Sequence, residues 1–380
     1  MAGCPKRFVH GVGMTKFSLD SIPMAVMAHE AIALALKDAK KSMDEIDAIV
    51  VSNSDTKMND DRQRHFPSVL SSVLKRKMPI IRVPAVCGGG GAAFWSGLRL
   101  RYKTVLIVGV DKVASSTTPL VTREIMNASE NAWEQDEGLI FPAANALVAQ
   151  QHFTRFGTTH EDLELIAFKN HGNGALNPKA PFYKKPVSME KIKNGPMIAE
   201  PFTLYDCSLT VNGAAAAVIS TAPSEVEVIG SGLATDHIAP FEREDMCVWS
   251  STIEAGKEAF AQAKVKQGDI SVAEIHDAFS IVELIAYEDL GFCKKGEGKD
   301  FVRSGVINLG GRMPTNTSGG LKARGHPISP TGVAQIVEIV DQLRGRCGER
   351  QVKGAALGLA HNVGGAGGTS IVHIFRKVAG

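Results

Sequence analysis

The sequence predicts an α/β fold made of two similar halves separated by a large insertion. Segments that read as strands and as helices alternate through the first third of the chain, and a comparable order returns near the C-terminus. The length of 380 residues also exceeds what one hydrophobic core usually supports.

Taken in order, Pro23 suits a first helical turn, and an amphipathic pattern runs from it to Lys41. IDAIVVS (46–52) has the length and apolar run of a buried strand. PSVLSSVLKRK (67–77) reads as a helix and PIIRVPAV (79–86) as a second strand. A Gly/Ala-rich helix from Cys87 to Arg101 and the strand TVLIVGV (104–110) follow. Such alternation implies a parallel sheet with helices on both faces. An offset of 224 residues then lays ALKDAKKSMDEIDAIVVSN (35–53) on AFAQAKVKQGDISVAEIHD (259–277), placing Ala35, Ala39, Lys40 and Ile46 on Ala259, Ala263, Lys264 and Ile270. A helix from about Pro330 to Arg344, followed by GAALGLAHNVGG, parallels the Cys87 helix and TVLIVGVDK. An internal duplication is the better reading. The predicted division is an N-terminal half over 1–113, an insertion with return strands over 114–246, and a C-terminal half over 247–380. The insertion, with helices over 141–156 and 160–175, reads as a lid or substrate loop domain.

Composition narrows the function classes. Hydrophobic residues make up 44% and charged residues 22%, a globular balance. Lys and Arg total 42 against 40 Asp and Glu, so no bulk positive charge supports nucleic-acid binding, although a local basic patch could hold a phosphorylated ligand. No apolar run approaches the roughly 20 residues needed to cross a bilayer. The start, MAGCPKRFVHGVG, lacks the apolar core of a signal peptide, and RKVAG is no peroxisomal tripeptide. The expectation is a soluble, cytoplasmic protein. The cysteines, Cys4, Cys87, Cys207, Cys247, Cys293 and Cys347, form no C-x-x-C pair, which argues against a structural zinc or a disulfide framework. What remains for one of them is the role of nucleophile.

VPAVCGGGGAAFWSG (83–97) sets Cys87 between a buried strand and a Gly-rich helix. The positive end of the helix dipole would favour the thiolate, and the four glycines would let backbone N–H groups converge on an oxyanion. A small buried cysteine is the other reading. In AEIHDAFSIVELIAYEDLGF (273–292), His276 and Asp277 fall between a strand and a helix, where they could serve catalysis or cap that helix. NTSGGLKARGHPISPTG (316–332) presents His326 between Gly and Pro, and LAHNVGGAGG (359–368) carries His361 and Asn362 at a strand-to-glycine turn. If the halves are duplicates, these loops meet in one cleft, with a Cys and two or three His suited to nucleophilic acyl transfer.

Nearly the whole chain resembles the thiolase superfamily. NTSGG followed by GHP (325–327) is similar to the loop carrying the histidine that activates the nucleophile. HDAF (276–279) with ELIAYEDLGFCKKGEG resembles the archaeal and SCP2-type branch, where HDCF or HDAF replaces NEAF. PFTLYDCSLTVNGAAAAVIS (201–220) resembles the family's P-x-x-x-x-D-C-x-x-x-x-D-G-A-A-A, and EDLELIAFKNHGNGALNP (161–178) its loop domain. The resemblance implies two βαβαβαββ halves in five αβαβα layers with a loop-domain insertion. It also implies cleavage of a 3-oxoacyl-CoA by coenzyme A, or the reverse Claisen condensation, through an acyl-Cys87 intermediate. His326 would deprotonate Cys87, His326 and His276 would hold the enolate oxygen, and the Cys87 and Gly364 amides would hold the second oxyanion. Where most thiolases carry a second cysteine in C-x-G, this chain reads HNVGG, with His361 or Asn362 at that place, and Ala278 replaces the cysteine of HDCF. His276 is then the favoured acid/base, His361 next, then an ordered water.

Two other readings are an SCP2-like aldolase or lyase acting on CoA thioesters, which lacks the nucleophilic cysteine retained here, and a CoA- or lipid-binding scaffold, which needs neither Cys87 nor GHP. The resemblance further implies a homodimer or dimer of dimers paired through PIIRVPAV, a small zinc-ribbon OB-fold partner, and no metal in this chain. Acetoacetyl-CoA and bulkier substrates such as benzoylsuccinyl-CoA are both candidates. Lys169, Lys184 and Lys185 are available cations for CoA.

Overall fold

The computed structural model describes residues 6–54, 64–114 and 117–378. Cys4 and the first and last residues discussed above lie outside them. The N-terminal half runs β1 (Arg7–Met14), α1 (Met24–Ala39), β2 (Ala48–Ser52), α2 (Phe66–Leu74), β3 (Ile80–Arg82), α3 (Gly89–Arg99) and β4 (Thr104–Lys112). There follow α4 (Thr118–Met126), α5 (Phe141–Phe156), α6 (His160–Ala175), α7 (Met189–Lys193), and a small hairpin of β5 (Met197–Ala199) and β6 (Phe202–Thr203). Next come β7 (Asn212–Ser220), β8 (Val226–Thr235), α8 (Ser250–Ala263), β9 (Val272–Ile275), α9 (Ser280–Asp289) and α10 (Gly298–Arg303). The chain closes with α11 (Gly320–Ala323), α12 (Pro330–Leu343), β10 (Leu357–Gly364) and β11 (Thr369–Lys377).

The strands lie in the order β3-β2-β4-β7-β1-β8-β11-β10-β9. The order mirrors about the short β1–β8 pairing, Arg7–Val9 against Val226–Val228, with a single bridge from Ala273 to Thr315 standing where β3 would recur. The sheet is mixed rather than parallel: β2 pairs parallel with β3 and β4, and β10 with β9, while β7 and β11 return antiparallel. Helix α1 packs on β1 and β7, and α8 on β8 and β11; α3 and α12 lie against each other between the two half-sheets. This gives five alternating layers. Helix α12 is buried on nearly every side, as its position in the middle layer requires.

The duplication holds to the residue at the 224 offset. Helices α1 and α8 both end on a left-handed lysine, Lys40 (φ 52) and Lys264 (φ 55). The 3₁₀ turns Met43–Glu45 and Gln267–Asp269 then correspond, each closed by its last carboxylate on the amide three residues back, Ser42 and Lys266. The expected helices over 141–156 and 160–175 are α5 and α6. The strand expected over 79–86 shortens to Ile80–Arg82, since Pro79 and Pro84 lack the N–H that a ladder needs.

The four glycines after Cys87 let neighbouring elements approach closely, Gly88 and Gly91 against β10 and β11, Gly89 against Ser52 and Gly90 against the start of α12. A Cβ on Gly90 would lie 2.5 Å from the Ser329 carbonyl, and one on Gly332 would lie 2.3 Å from the Gly91 nitrogen. Only glycine lets the N-termini of α3 and α12 touch backbone to backbone.

Candidate active site

Cys87 occupies the 3₁₀ turn Val86–Gly88 that precedes α3. Its neighbour Val86 is held at φ 49, a conformation that costs a β-branched residue energy and turns the backbone sharply at the nucleophile. His326 arrives from the other half, between Gly325 (φ 106) and Pro327, and its amide is fixed by the Leu209 carbonyl at 2.7 Å. The two side chains meet with Cys87 Sγ 3.2 Å from His326 Nε2. The far nitrogen, Nδ1, lies 2.7 Å from Thr331 Oγ1.

The thiol is not activated at rest. Burial pushes the Cys87 pKa up to about 12, against the hydrogen bonds from the amides of Gly365 and of Cys87 itself, while Asp111 pushes it further upward. The helix dipole expected to favour thiolate is outweighed by desolvation. Burial also pulls His326 down to about 3, and the Arg324 charge adds to that. The resting pair is therefore neutral, thiol and imidazole. A thiol that donates requires Nε2 to accept, so the His326 proton sits on Nδ1 and is donated to Thr331.

Asn362 ties the site together. Its Oδ1 accepts the Gly91 N–H at 3.1 Å, which fixes the amide orientation, and its Nδ2 donates to the Cys87 carbonyl at 3.0 Å and to His276 Nδ1 at 3.3 Å. With Nδ1 accepting, His276 carries its proton on Nε2. Burial first, then His326 and His361, hold His276 well below the usual imidazole range. The His276 and His326 rings stand nearly perpendicular with centroids 5.5 Å apart. Behind His276, Asp277 accepts the Leu321 amide at 2.6 Å and Asn170 Nδ2 at 2.8 Å, binding the HDAF corner to α11 and α6.

Cys87, His276 and His326 line one cavity of about 310 Å³, together with Cys207 and Gly365. The structure does not bring His361 there. His361 and Asn362 are consecutive on β10 and face opposite ways, so when Asn362 meets Cys87, His361 turns toward α8 and bonds Thr252 at 3.2 Å. The amide that reaches the sulfur belongs to Gly365, one residue past the expected Gly364; Gly364 still belongs to β10, in register with Thr369. Lys169 is no CoA contact either: it is buried between Glu283 (2.8 Å) and the Thr315 carbonyl (2.9 Å). Lys184 and Lys185 are exposed, and Lys184 borders a different cavity. Sequence reasoning missed Thr331, whose only signal is its place at the start of the helix after GHP, and Cys207, which the D-C pair brings beside Phe279. Among the described residues no group of three His, Cys, Asp or Glu could hold a metal ion, and no helix is long and apolar enough to cross a membrane.

Comparison with known families agrees with this architecture. The model for the thiolase N-terminal domain matches residues 9–219, and the thiolase C-terminal domain-like model matches residues 232–377. The chain belongs to the thiolase superfamily. Within it, the relatives place the chain in the archaeal/SCP2-type branch. It is 39% identical to an acetyl-CoA acetyltransferase of Methanothermobacter thermautotrophicus, over 97% of this chain and 99% of that one. It is 30% identical to human sterol carrier protein 2, over 97% of this chain and 71% of that one. Among solved structures, one described as an Ltp2-ChsH2(DUF35) aldolase superposes with a TM-score of 0.82 at 24% identity, covering 98% of each chain. Human mitochondrial 3-ketoacyl-CoA thiolase in complex with CoA superposes with a TM-score of 0.75 at 16% identity, covering all of both chains.

Proposed function

We propose that this acyltransferase cleaves a 3-oxoacyl-CoA with coenzyme A, or forms one in reverse, through an acyl-Cys87 intermediate. The observation that carries the reading is the 3.2 Å approach of Cys87 Sγ to His326 Nε2 in a cavity shared with His276. The similarity to an acetyl-CoA acetyltransferase supports it.

His326 takes the Cys87 proton as the sulfur attacks the 3-keto carbon. The Gly365 and Cys87 amides, already aimed at the sulfur, receive the oxyanion that forms next to it, each such donor contributing about 3–4 kcal/mol. The C–C bond then breaks, and its electrons become the enolate of the departing thioester. His276 Nε2–H donates to the enolate oxygen, and the His326 imidazolium returns its proton to the enolate carbon. This gives His326 the acid role that the sequence suggested for His276 or His361. Neutral again, His326 takes the proton of the incoming CoA thiol. That thiolate accepts the acyl group, and Cys87 recovers its proton from His326.

The assembly follows the same logic. Strand β3 is a sheet edge and Ile81 on it is 44% exposed, which supports pairing of two copies through that strand. The two-component name of the Ltp2-ChsH2(DUF35) aldolase supports a small second chain, testable by co-purification of a roughly 15 kDa zinc protein, the size of a small domain.

Intact-mass analysis after mixing with a 3-oxoacyl-CoA tests the chemistry. The expected result is an acyl adduct on Cys87 that CoA discharges and Cys87→Ala abolishes. Undiminished thiolysis by Cys87→Ala would refute it, and retro-aldol cleavage of a 3-hydroxyacyl-CoA without an adduct would establish the lyase instead.

A further inference from the structure

We propose that Asp111, which does not line the cavity, is the positioning residue that holds His326 in reach of Cys87. The inference rests on the acyl-transfer reading of Cys87 and adds to it the anchor of the base. Asp111 lies near the end of β4 and is fully buried, where a carboxylate is costly unless donors surround it. It has them on both oxygens, and they come from different halves of the chain. Oδ1 accepts the Ser54 amide at 2.8 Å and the Ser54 hydroxyl at 2.5 Å, just past the end of β2. Oδ2 accepts the Ser329 amide at 2.8 Å, three residues after His326. Burial pushes Asp111 up to about 6, against hydrogen bonds from the hydroxyls and amides of Ser54 and Ser329, so the carboxylate is largely ionised at neutral pH.

The Ser329 amide is where the loop needs a hold. Ile328, just before it, sits at φ 61, a left-handed conformation that is costly for a β-branched residue and persists only where the surroundings impose it. Ser329 also immediately precedes α12, which carries Thr331, the hydrogen-bond partner of His326 Nδ1. Two residues back along β4, Gly109 lets the helix start approach, since a Cβ there would lie 2.7 Å from Pro330 Cα. The end of β4 therefore fixes both the turn after His326 and the first residue of the helix that orients its ring. The same serine abuts the nucleophile's turn: a Cβ on Gly89 would lie 3.4 Å from the Ser329 hydroxyl oxygen. Releasing the loop from Asp111 would disturb the 3.2 Å approach of Sγ to Nε2, and a displacement of about 1 Å at a reacting pair can cost about 100-fold in rate. The charge itself works the other way. Burial sets most of the rise in the Cys87 pKa, and Asp111 adds to it, which disfavours the thiolate. What the carboxylate contributes to acylation is its acceptors.

The test compares Asp111→Asn with Asp111→Ala. Both lack the charge, so the ratio of their rates isolates the acceptor. The asparagine can turn its oxygen to the Ser329 amide and its NH2 to the Ser54 hydroxyl, whereas the alanine offers neither. The rate is that of acyl-Cys87 formation in a single turnover with 3-oxobutanoyl-CoA, read by intact mass beside a thermal melt. Asp111→Asn should exceed Asp111→Ala by about tenfold or more, with the KM for CoA within twofold in both, a split that lost stability alone would not produce. Ser54→Ala, which spares the Ser329 bond, should acylate within twofold of the unaltered enzyme. A smaller ratio between the two Asp111 variants, or a greater loss in Ser54→Ala, overturns this proposal and leaves the acyl-transfer reading standing. If no 3-oxoacyl-CoA acylates the unaltered enzyme, the acyl-transfer reading fails, and the same ratio measured for alkylation of Cys87 by iodoacetamide decides the positioning role. Should Asp111→Ala not fold, Asp111→Leu, which fills the space without accepting, takes its place.

Discussion

Thr331→Val tests how the base is set. Valine keeps the β-branched shape at the start of α12 but cannot accept the His326 Nδ1–H, which Thr331 Oγ1 meets at 2.7 Å. In this buried corner the N–H would lose its only partner, a cost of about 1–3 kcal/mol. Part of that cost is relieved if the proton moves to Nε2, but then Nε2 no longer accepts from Cys87. Either way the reactive arrangement becomes rarer, by roughly 5- to 150-fold at 1.4 kcal/mol per decade. The assay is the rate of acyl-Cys87 formation in a single turnover, quenched and weighed, beside a thermal melt. Thr331→Ser, which restores the hydroxyl, should recover most of the rate. Acylation by Thr331→Val within twofold of the unaltered enzyme would sink the argument. So would a loss of rate that serine fails to rescue.

Three further outcomes are expected. Gly320→Ala should destabilise the protein by several kcal/mol, of the order seen for strained positive-φ and overpacked sites, because its Cβ would fall 2.4 Å from an Asp277 carboxylate oxygen at φ 58; a thermal melt reads this directly. Lys169→Met should cost about 3–5 kcal/mol in denaturant unfolding by stranding the buried Glu283 carboxylate, with the KM for CoA unchanged in the folded enzyme. Stability should vary little from pH 7 to about 4.5 and collapse below about 4, measured as the urea midpoint against pH. The signs run in opposition: buried neutral His326, His361 and His373 (about 3), His171 (about 4) and His276 bind protons only when unfolded, so they cost stability as pH falls below the usual 6.5. Asp111, Asp277, Asp289 and Asp341 (about 6) and Glu274 (about 7) bind protons first when folded, and so offset that loss until the unfolded carboxylates also protonate.

Much of this was legible in the sequence because local rules set it. The left-handed lysines at 40 and 264 end equivalent helices, and the turns after them share one capping pattern, so the duplication shows in the sequence as an offset. The duplicated halves bring the Cys87 loop and the histidine loops to one cleft, and the resemblance to thiolases singles out His326 as the partner of Cys87. What did not follow was decided by burial and facing. His361 and Asn362 are adjacent in a strand buried on both sides, and hydrophobic alternation cannot say which one faces the nucleophile when neither face meets water. The thiol's resting state depends on desolvation by residues from both halves. Lys169 looked like a surface cation because its partner, Glu283, is 114 positions away and packs only in the tertiary fold.

Asn362 and Asp111 stand near the ends of corresponding strands, β10 and β4, and each reaches across to the opposite half: Asn362 grips the carbonyl of the nucleophile's own residue, and Asp111 accepts the Ser329 amide at 2.8 Å in the loop that follows His326. Neither half can complete its own corner. Chemical competence thus requires the duplicated lobes to embrace, and a chain severed between β7 and β8 would regain turnover only through complementation of the two fragments.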